Sequence, residues 1–138
     1  MKKYVLDTSA IISFVTDRNP SQQEKMAGIF EAATLQKYTL ICPQHVLTEF
    51  VFVMDRVYKV EETEINVMIR DFITMPGIEI CHEIDFSTLL AVWPNVIPDF
   101  GDAIVGTVCK TIKSSAVITF DAKFTAALKK AGINVSDL

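Results

Sequence analysis

Long apolar runs are missing from this sequence. Of its 138 residues 50% are hydrophobic, yet the longest uncharged, strongly apolar stretch, residues 50–54, falls far short of the ~18 residues a membrane span needs. The opening Met1-Lys2-Lys3-Tyr4 leads into a short run interrupted by Asp7, not into an apolar leader with a small-residue cleavage site. The expectation is a cytoplasmic protein with no membrane association. Cysteine is scarce: Cys42, Cys81 and Cys109 are odd in number, far apart and form no C-x-x-C pair, which argues against a disulfide framework and a zinc ribbon. They are expected as buried, reduced thiols. The two histidines, His45 and His82, are too few and too isolated for a histidine-rich metal site. Excess positive charge is lacking as well. With 13 Lys+Arg against 17 Asp+Glu, a net charge of −4 argues against a protein that coats nucleic acid by neutralising phosphates.

What the chain does have is enough apolar material for one core, and no repeat, low-complexity tract or linker divides it, so residues 1–138 are expected to form a single domain. Hydrophobic spacing predicts strands over residues 4–6, 40–42, 78–80, 116–120 and 133–135. It predicts helices over 9–15, 20–33, 44–58, 61–73, 86–93, 100–113 and 122–131, with Gly132 as a cap and Pro76-Gly77 as a turn. The helix over 44–58 carries a broad apolar stripe of Val46, Leu47, Phe50, Val51, Met54 and Val57. Short, continuously apolar strands alternating with helices indicate a parallel sheet covered on both faces. The predicted fold class is therefore α/β, a three-layer α/β/α sandwich around a short central parallel sheet. Ligands in such folds sit beyond the carboxyl ends of the strands, near the point where strand order reverses.

Acidic residues gather at those strand ends. Asp7 follows the first strand and Asp121 the strand over 116–120, while Asp99 and Asp102 open the helix after Pro98. Glu49 lies at the border of the apolar stripe on the helix after the second strand. Each has a structural reading: Asp7 and Asp121 as helix N-caps, Asp99-x-x-Asp102 as a capping box, Glu49 as a helix flank. Together they place several carboxylates at one end of a parallel sheet, where like charges repel. An all-oxygen cluster without histidine suits a hard cation such as Mg²⁺ or Mn²⁺. Such an ion can activate water and neutralise charge on a phosphodiester.

Four segments carry a family resemblance. Tyr4-Val5-Leu6-Asp7-Thr8-Ser9, Val46-Leu47-Thr48-Glu49-Phe50, Asp99-Phe100-Gly101-Asp102-Ala103-Ile104-Val105-Gly106 and Thr119-Phe120-Asp121-Ala122-Lys123-Phe124 stand in that order. In this the chain resembles the PIN-domain family, and most of all the compact VapC-type toxin ribonucleases, over nearly its whole length. The resemblance implies Asp7, Glu49, Asp102 and Asp121 as catalytic carboxylates, with Asp7, Asp102 and Asp121 around Mg²⁺ or Mn²⁺. It makes Asp99 an accessory acid. Thr8, Ser9 and Thr119 are expected as accessory hydroxyls that orient carboxylates or waters, or else as local caps. The reaction implied is endonucleolytic hydrolysis of RNA by metal-activated water. The implied partners are an RNA substrate, a small antitoxin protein and a second copy of the chain in a homodimer.

Competing α/β chemistries lack their residues. Asp7-Thr8-Ser9-Ala10 is no glycine-rich dinucleotide turn, and no G-x-x-x-x-G-K-[ST] loop exists. Ser9 stands where a haloacid-dehalogenase-like phosphatase needs a second Asp, and Asp7 lacks the acidic neighbour a receiver domain needs. Two alternatives stay open: a non-catalytic metal- or RNA-binding module, and a housekeeping RNA-processing nuclease. Charge is uneven along the chain, −7 over residues 1–102 and +3 over residues 103–138. Lys110, Lys113 and Lys123, with Lys129 and Lys130, therefore form either a solvated face or a phosphate-steering patch. Phe52 points away from the helix stripe, which fits either a second core layer or a partner surface.

Overall fold

The computed structural model describes residues 1–138. Its elements are β1 (Lys3–Leu6), α1 (Thr8–Val15), α2 (Pro20–Thr34), β2 (Thr39–Pro43), α3 (Gln44–Arg56), α4 (Glu62–Ile73), β3 (Ile78–Cys81), α5 (Phe86–Val92), α6 (Phe100–Thr111), β4 (Ser115–Ile118) and α7 (Ala122–Lys130). The strands form one four-stranded sheet in the order β3-β2-β1-β4, and every pairing is parallel. The chain steps from β1 outward through β2 to β3, then returns past β1 to place β4 on its other side. Right-handed crossovers put α1–α4 on one face for the outward steps and α5–α7 on the opposite face for the return. Packing of α1 on α2 and α3, of α3 on α4, and of α6 on β1, β2 and β4 agrees with this. The expected α/β/α sandwich is thus present.

The reversal of strand order falls between β1 and β4. Leu6 pairs with Ile118 at the last register position, so Asp7 leaves the sheet beside the exit of β4. The sheet strands are apolar on both faces because helices cover both: Val5, Leu6, Leu40 and Val117 are completely buried. At the start of β3, Gly77 adopts φ +85°, and a Cβ there would run into the Ala33 carbonyl, so the turn after α4 accepts no side chain.

Several sequence expectations change. Strand β4 ends at Ile118, not at residue 120, because Thr119 and Phe120 turn their bonding to side chains: the Phe120 N–H donates to Ser9 Oγ and the Asp121 N–H to Thr119 Oγ1. Residues 133–135 form no strand but one parallel bridge, Val117 to Val135. There the Asn134 amide reaches back to the Ser115 carbonyl. The α3 stripe is narrower than its spacing suggests. Val46, Phe50 and Met54 are buried, whereas Val51 and Val57 are exposed along with Phe52. No second core layer covers Phe52; the Arg56 guanidinium lies 5.6 Å from its ring centroid instead. Of the three thiols, Cys42 and Cys109 are buried but Cys81, on edge strand β3, is partly exposed.

Candidate active site

The first carboxylate is the one exit from β1 that folding buries. Asp7 is only 6% exposed. It occupies the N-cap position of α1, yet its side chain makes no capping bond. Instead Oδ2 accepts from Ser9 Oγ at 3.0 Å and from Thr119 Oγ1 at 2.8 Å. The Thr119 bond spans the gap between β1 and β4, so it holds the two sides of the switch point together. Burial raises the proton affinity of Asp7; the two hydroxyls oppose this, and the charge of Asp121 adds to it. The two hydroxyl bonds offset the cost of burying this carboxylate in place of a cap.

Asp121 and Asp99 do cap. Asp121 Oδ1 accepts from the Phe124 N–H at 3.1 Å at the start of α7, and Asp99 Oδ1 accepts from the Asp102 N–H at 2.9 Å at the start of α6. Each spends one oxygen and keeps the other. The reciprocal half of a capping box is absent: the Asp102 carboxyl accepts no hydrogen bond from the protein. Asp102 is also the group most affected by its surroundings. Burial, then the charges of Asp7, Asp99, Asp121 and Glu49 in that order, push it up to about 7. Five acids from four separate elements therefore share one electrostatic neighbourhood at the carboxyl edge of the sheet.

Glu49 reaches this neighbourhood from α3. Burial raises its proton affinity first, and the charges of Asp7 and Asp99 raise it further. The approach to α6 is close enough that a Cβ on Gly101 would stand 3.0 Å from Glu49 Oε1 and 3.3 Å from Asp99 Oδ1. Thr8 is the one expected hydroxyl that bonds nothing. Its Oγ1 is buried without a hydrogen-bond partner of ordinary geometry, although it faces Glu49 and favours that group's charged form.

His45 belongs here too, one helical turn before Glu49, and was set aside at the sequence level as an isolated histidine. Its Nε2 lies 2.9 Å from the Gly101 carbonyl and 3.4 Å from Glu49 Oε1. A carbonyl only accepts, so Nε2 carries the proton, and Nδ1 is left buried with no partner. Burial lowers its proton affinity, against the Gly101 carbonyl and the charges of Asp7 and Asp99. The i, i+4 spacing to Glu49 was the available signal. The lysines divide. Lys123 stands in the first turn of α7, beside Asp121. Lys110 lies in the last turn of α6, about 12 Å along the axis from Asp102 at 1.5 Å per residue. Lys113, Lys129 and Lys130 share that far end.

The donor set is all oxygen, several of its oxygens are unspent, and Asp102 has no partner within the protein. This chemistry fits a hard divalent cation. No three acidic, histidine or cysteine side chains close around one point at ligand distance in this conformation.

The fold is thus a three-layer parallel α/β domain with an acidic cluster at its switch point. The family model for the PIN domain matches residues 4–130, leaving out only the first three residues and the last eight. The chain belongs to the PIN-domain family. PIN domains are in general nucleases that use divalent metal ions such as Mg²⁺. No curated protein shows significant sequence similarity to the chain.

Proposed function

We propose that this PIN domain is an endoribonuclease that hydrolyses RNA phosphodiester bonds with water activated at Mg²⁺ or Mn²⁺, and that it acts in the cytoplasm as the toxin of a type II toxin–antitoxin pair. The observation that carries the nuclease reading is Asp102, whose carboxyl accepts no hydrogen bond, under the combined charge of Asp7, Asp99, Asp121 and Glu49. A cation bound there would supply positive charge against the phosphate and make water a stronger acid. Asp7, Asp102 and Asp121 are the residues we assign to hold it. Ser9 and Thr119 fix Asp7 through Oδ2, which leaves Oδ1 to the cation. Asp121 likewise spends only Oδ1 on its cap. Glu49, with its raised proton affinity and a position on a different helix, is assigned to take the proton from the attacking water.

The toxin role rests on the resemblance of the four acidic motifs to VapC-type ribonucleases, and so does the homodimer. We assign the small antitoxin to an apolar groove of about 190 Å³ between α1, α3 and α4, lined by Phe14, Leu47, Phe50, Met68 and Phe72 among others.

The nuclease reading is tested by incubating the purified protein with a panel of single-stranded and structured RNAs. Cleavage is expected with Mg²⁺ or Mn²⁺ and is expected to vanish in EDTA. An unchanged rate in excess EDTA contradicts the metal mechanism. The toxin reading predicts growth arrest on expression, relieved by a co-expressed antitoxin; expression without any effect on growth overturns it.

A further inference from the structure

Arg18 is the one cation that the fold fixes beside the acidic cluster without pairing it to an acid. It lies in the link between α1 and α2, and its Nη2 donates to the Ser9 carbonyl at 3.1 Å and to Ser13 Oγ at 3.0 Å. Ser13 is fully buried, and its hydroxyl passes the chain on by donating to Gln22 Oε1 at 2.8 Å. The guanidinium is therefore anchored through one nitrogen over the first turns of α1. It takes part in no ion pair, since the only acid–base contacts are His45 with Glu49 and Arg56 with Asp55. Two of its five N–H groups are spent, and three have no partner within the protein.

Arg18 lines a groove of about 440 Å³ together with Ser9, Asn19, Gln22, Phe120 and Asp121. The two side-chain amide oxygens among these residues each accept a hydrogen bond within the fold. Asn19 Oδ1 accepts from the Gln22 N–H and Gln22 Oε1 accepts from Ser13, which leaves the NH₂ donors of both residues without a partner in the protein. The near end is Asp121, and Ser9 there also holds Asp7. A row of donors and one fixed cation, with an aromatic wall, thus opens directly onto the candidate catalytic carboxylates. That composition suits an anion with a ring attached. It does not suit a second metal ion.

We propose that this groove is a substrate subsite in which Arg18 holds the RNA phosphate neighbouring the scissile one, with the Asn19 and Gln22 amides beside it and the nucleotide lying against Phe120. The assignment rests on the nuclease reading above and deepens it. An anchored guanidinium with free N–H groups presents a phosphate with a charged donor already in place, which a mobile surface lysine does not. It also offsets the repulsion a polyanion meets on approaching five carboxylates.

The test is binding of a short, labelled single-stranded RNA in EDTA, across a salt series, by the unsubstituted protein, Arg18→Gln and Arg18→Lys. Arg18→Gln is expected to bind on the order of tenfold more weakly at low salt. Its log–log salt slope should be shallower by about 0.7, the value of one single-strand phosphate contact. Arg18→Lys should keep the slope and recover part of the affinity. A purely structural arginine would lower the melting temperature and leave the slope alone. If the unsubstituted protein cleaves RNA in Mg²⁺ while Arg18→Gln binds with the parental slope, the subsite is overturned and the nuclease reading stands. If the unsubstituted protein neither binds nor cleaves RNA, the nuclease reading fails and the subsite with it.

Discussion

At the scale of single residues, Asp102 carries the sharpest physical signature. Its proton affinity in the folded protein, about 7 against an ordinary 3.8, means that the folded state holds a proton the unfolded chain has already lost between those values. Stability must then fall as pH rises from about 4 to about 7, because the unfolded state binds fewer protons over that window. Asparagine has the shape of the carboxyl but no such titration. In EDTA the melting-temperature advantage of Asp102→Asn over the unsubstituted protein should therefore be smallest near pH 4, grow toward pH 7, and level off. His45 pulls in the opposite sense, since a folded state that keeps it neutral loses stability as pH falls, but that effect is common to both proteins and cancels in the difference. A difference that stays constant from pH 4 to 7 would show that Asp102 does not sit under its neighbours' charge. Asp7 makes the complementary point at this scale: a residue in an N-cap position whose oxygen turns to Ser9 and Thr119 has been taken from its helix by the site.

At the scale of elements, what matters is how closely α3 and the first turn of α6 approach. Gly101 makes this contact by lacking a Cβ. Gly101→Ala would place a methyl 3.0 Å from Glu49 Oε1 and 3.3 Å from Asp99 Oδ1. Alanine gains up to about 1 kcal/mol of helix propensity over glycine, and the end of the Glu49 side chain can swing aside. Stability should therefore change by no more than about 1 kcal/mol in either direction, while the displaced carboxylate costs RNA cleavage at least about tenfold, equivalent to about 1.4 kcal/mol. Parental cleavage by a well-folded Gly101→Ala would argue that Glu49 is a bystander. The elements themselves were largely legible. Apolar runs and turn residues located every helix and four strands, with ends off by a residue or two. The misses share a cause. Residues 119–120 read as strand because Thr and Phe suit one, but Ser9 and Thr119 side chains replace the ladder there. Val51 and Val57 read as core because periodicity marks a helix face without saying how wide the neighbouring layer is.

At the scale of the whole molecule, the strand order turns scattered sequence positions into one site. Residues 7 and 121 are brought together because β4 returns to lie beside β1, and residues 49 and 102 arrive on helices from opposite faces of the sheet. Asp7, Asp99, Asp102 and Asp121 were legible because they follow strands or open helices, and Glu49 because it borders the apolar stripe of α3. Arg18 was not, because an exposed arginine in a link has no pattern until its neighbours are known. His45 was half legible, through its spacing to Glu49. The charge asymmetry acquires a geometry as well: Lys123 stands next to Asp121, while Lys110, Lys113, Lys129 and Lys130 lie at the other edge of the sheet, so the positive excess of residues 103–138 is not gathered around the carboxylates.

Centrally, Asp7, Asp102 and Asp121 are proposed to hold one cation, with the Glu49 carboxylate close enough for its charge to help retain it. Thermal unfolding of the unsubstituted protein and of Asp7→Asn, Glu49→Gln, Asp102→Asn and Asp121→Asn, each with EDTA and with Mn²⁺ or Mg²⁺ at neutral pH, tests it most directly. Asparagine caps a helix about as well as aspartate, so residues that only cap would yield variants that respond to metal as the parent does. A shared site predicts that each variant melts at or above the parental temperature in EDTA, because one like charge has been removed. It also predicts a smaller gain on adding metal than the parent's, whose gain is about 2.7 kcal/mol at a hundredfold excess over Kd. Four variants with the parental metal-induced shift would contradict the claim.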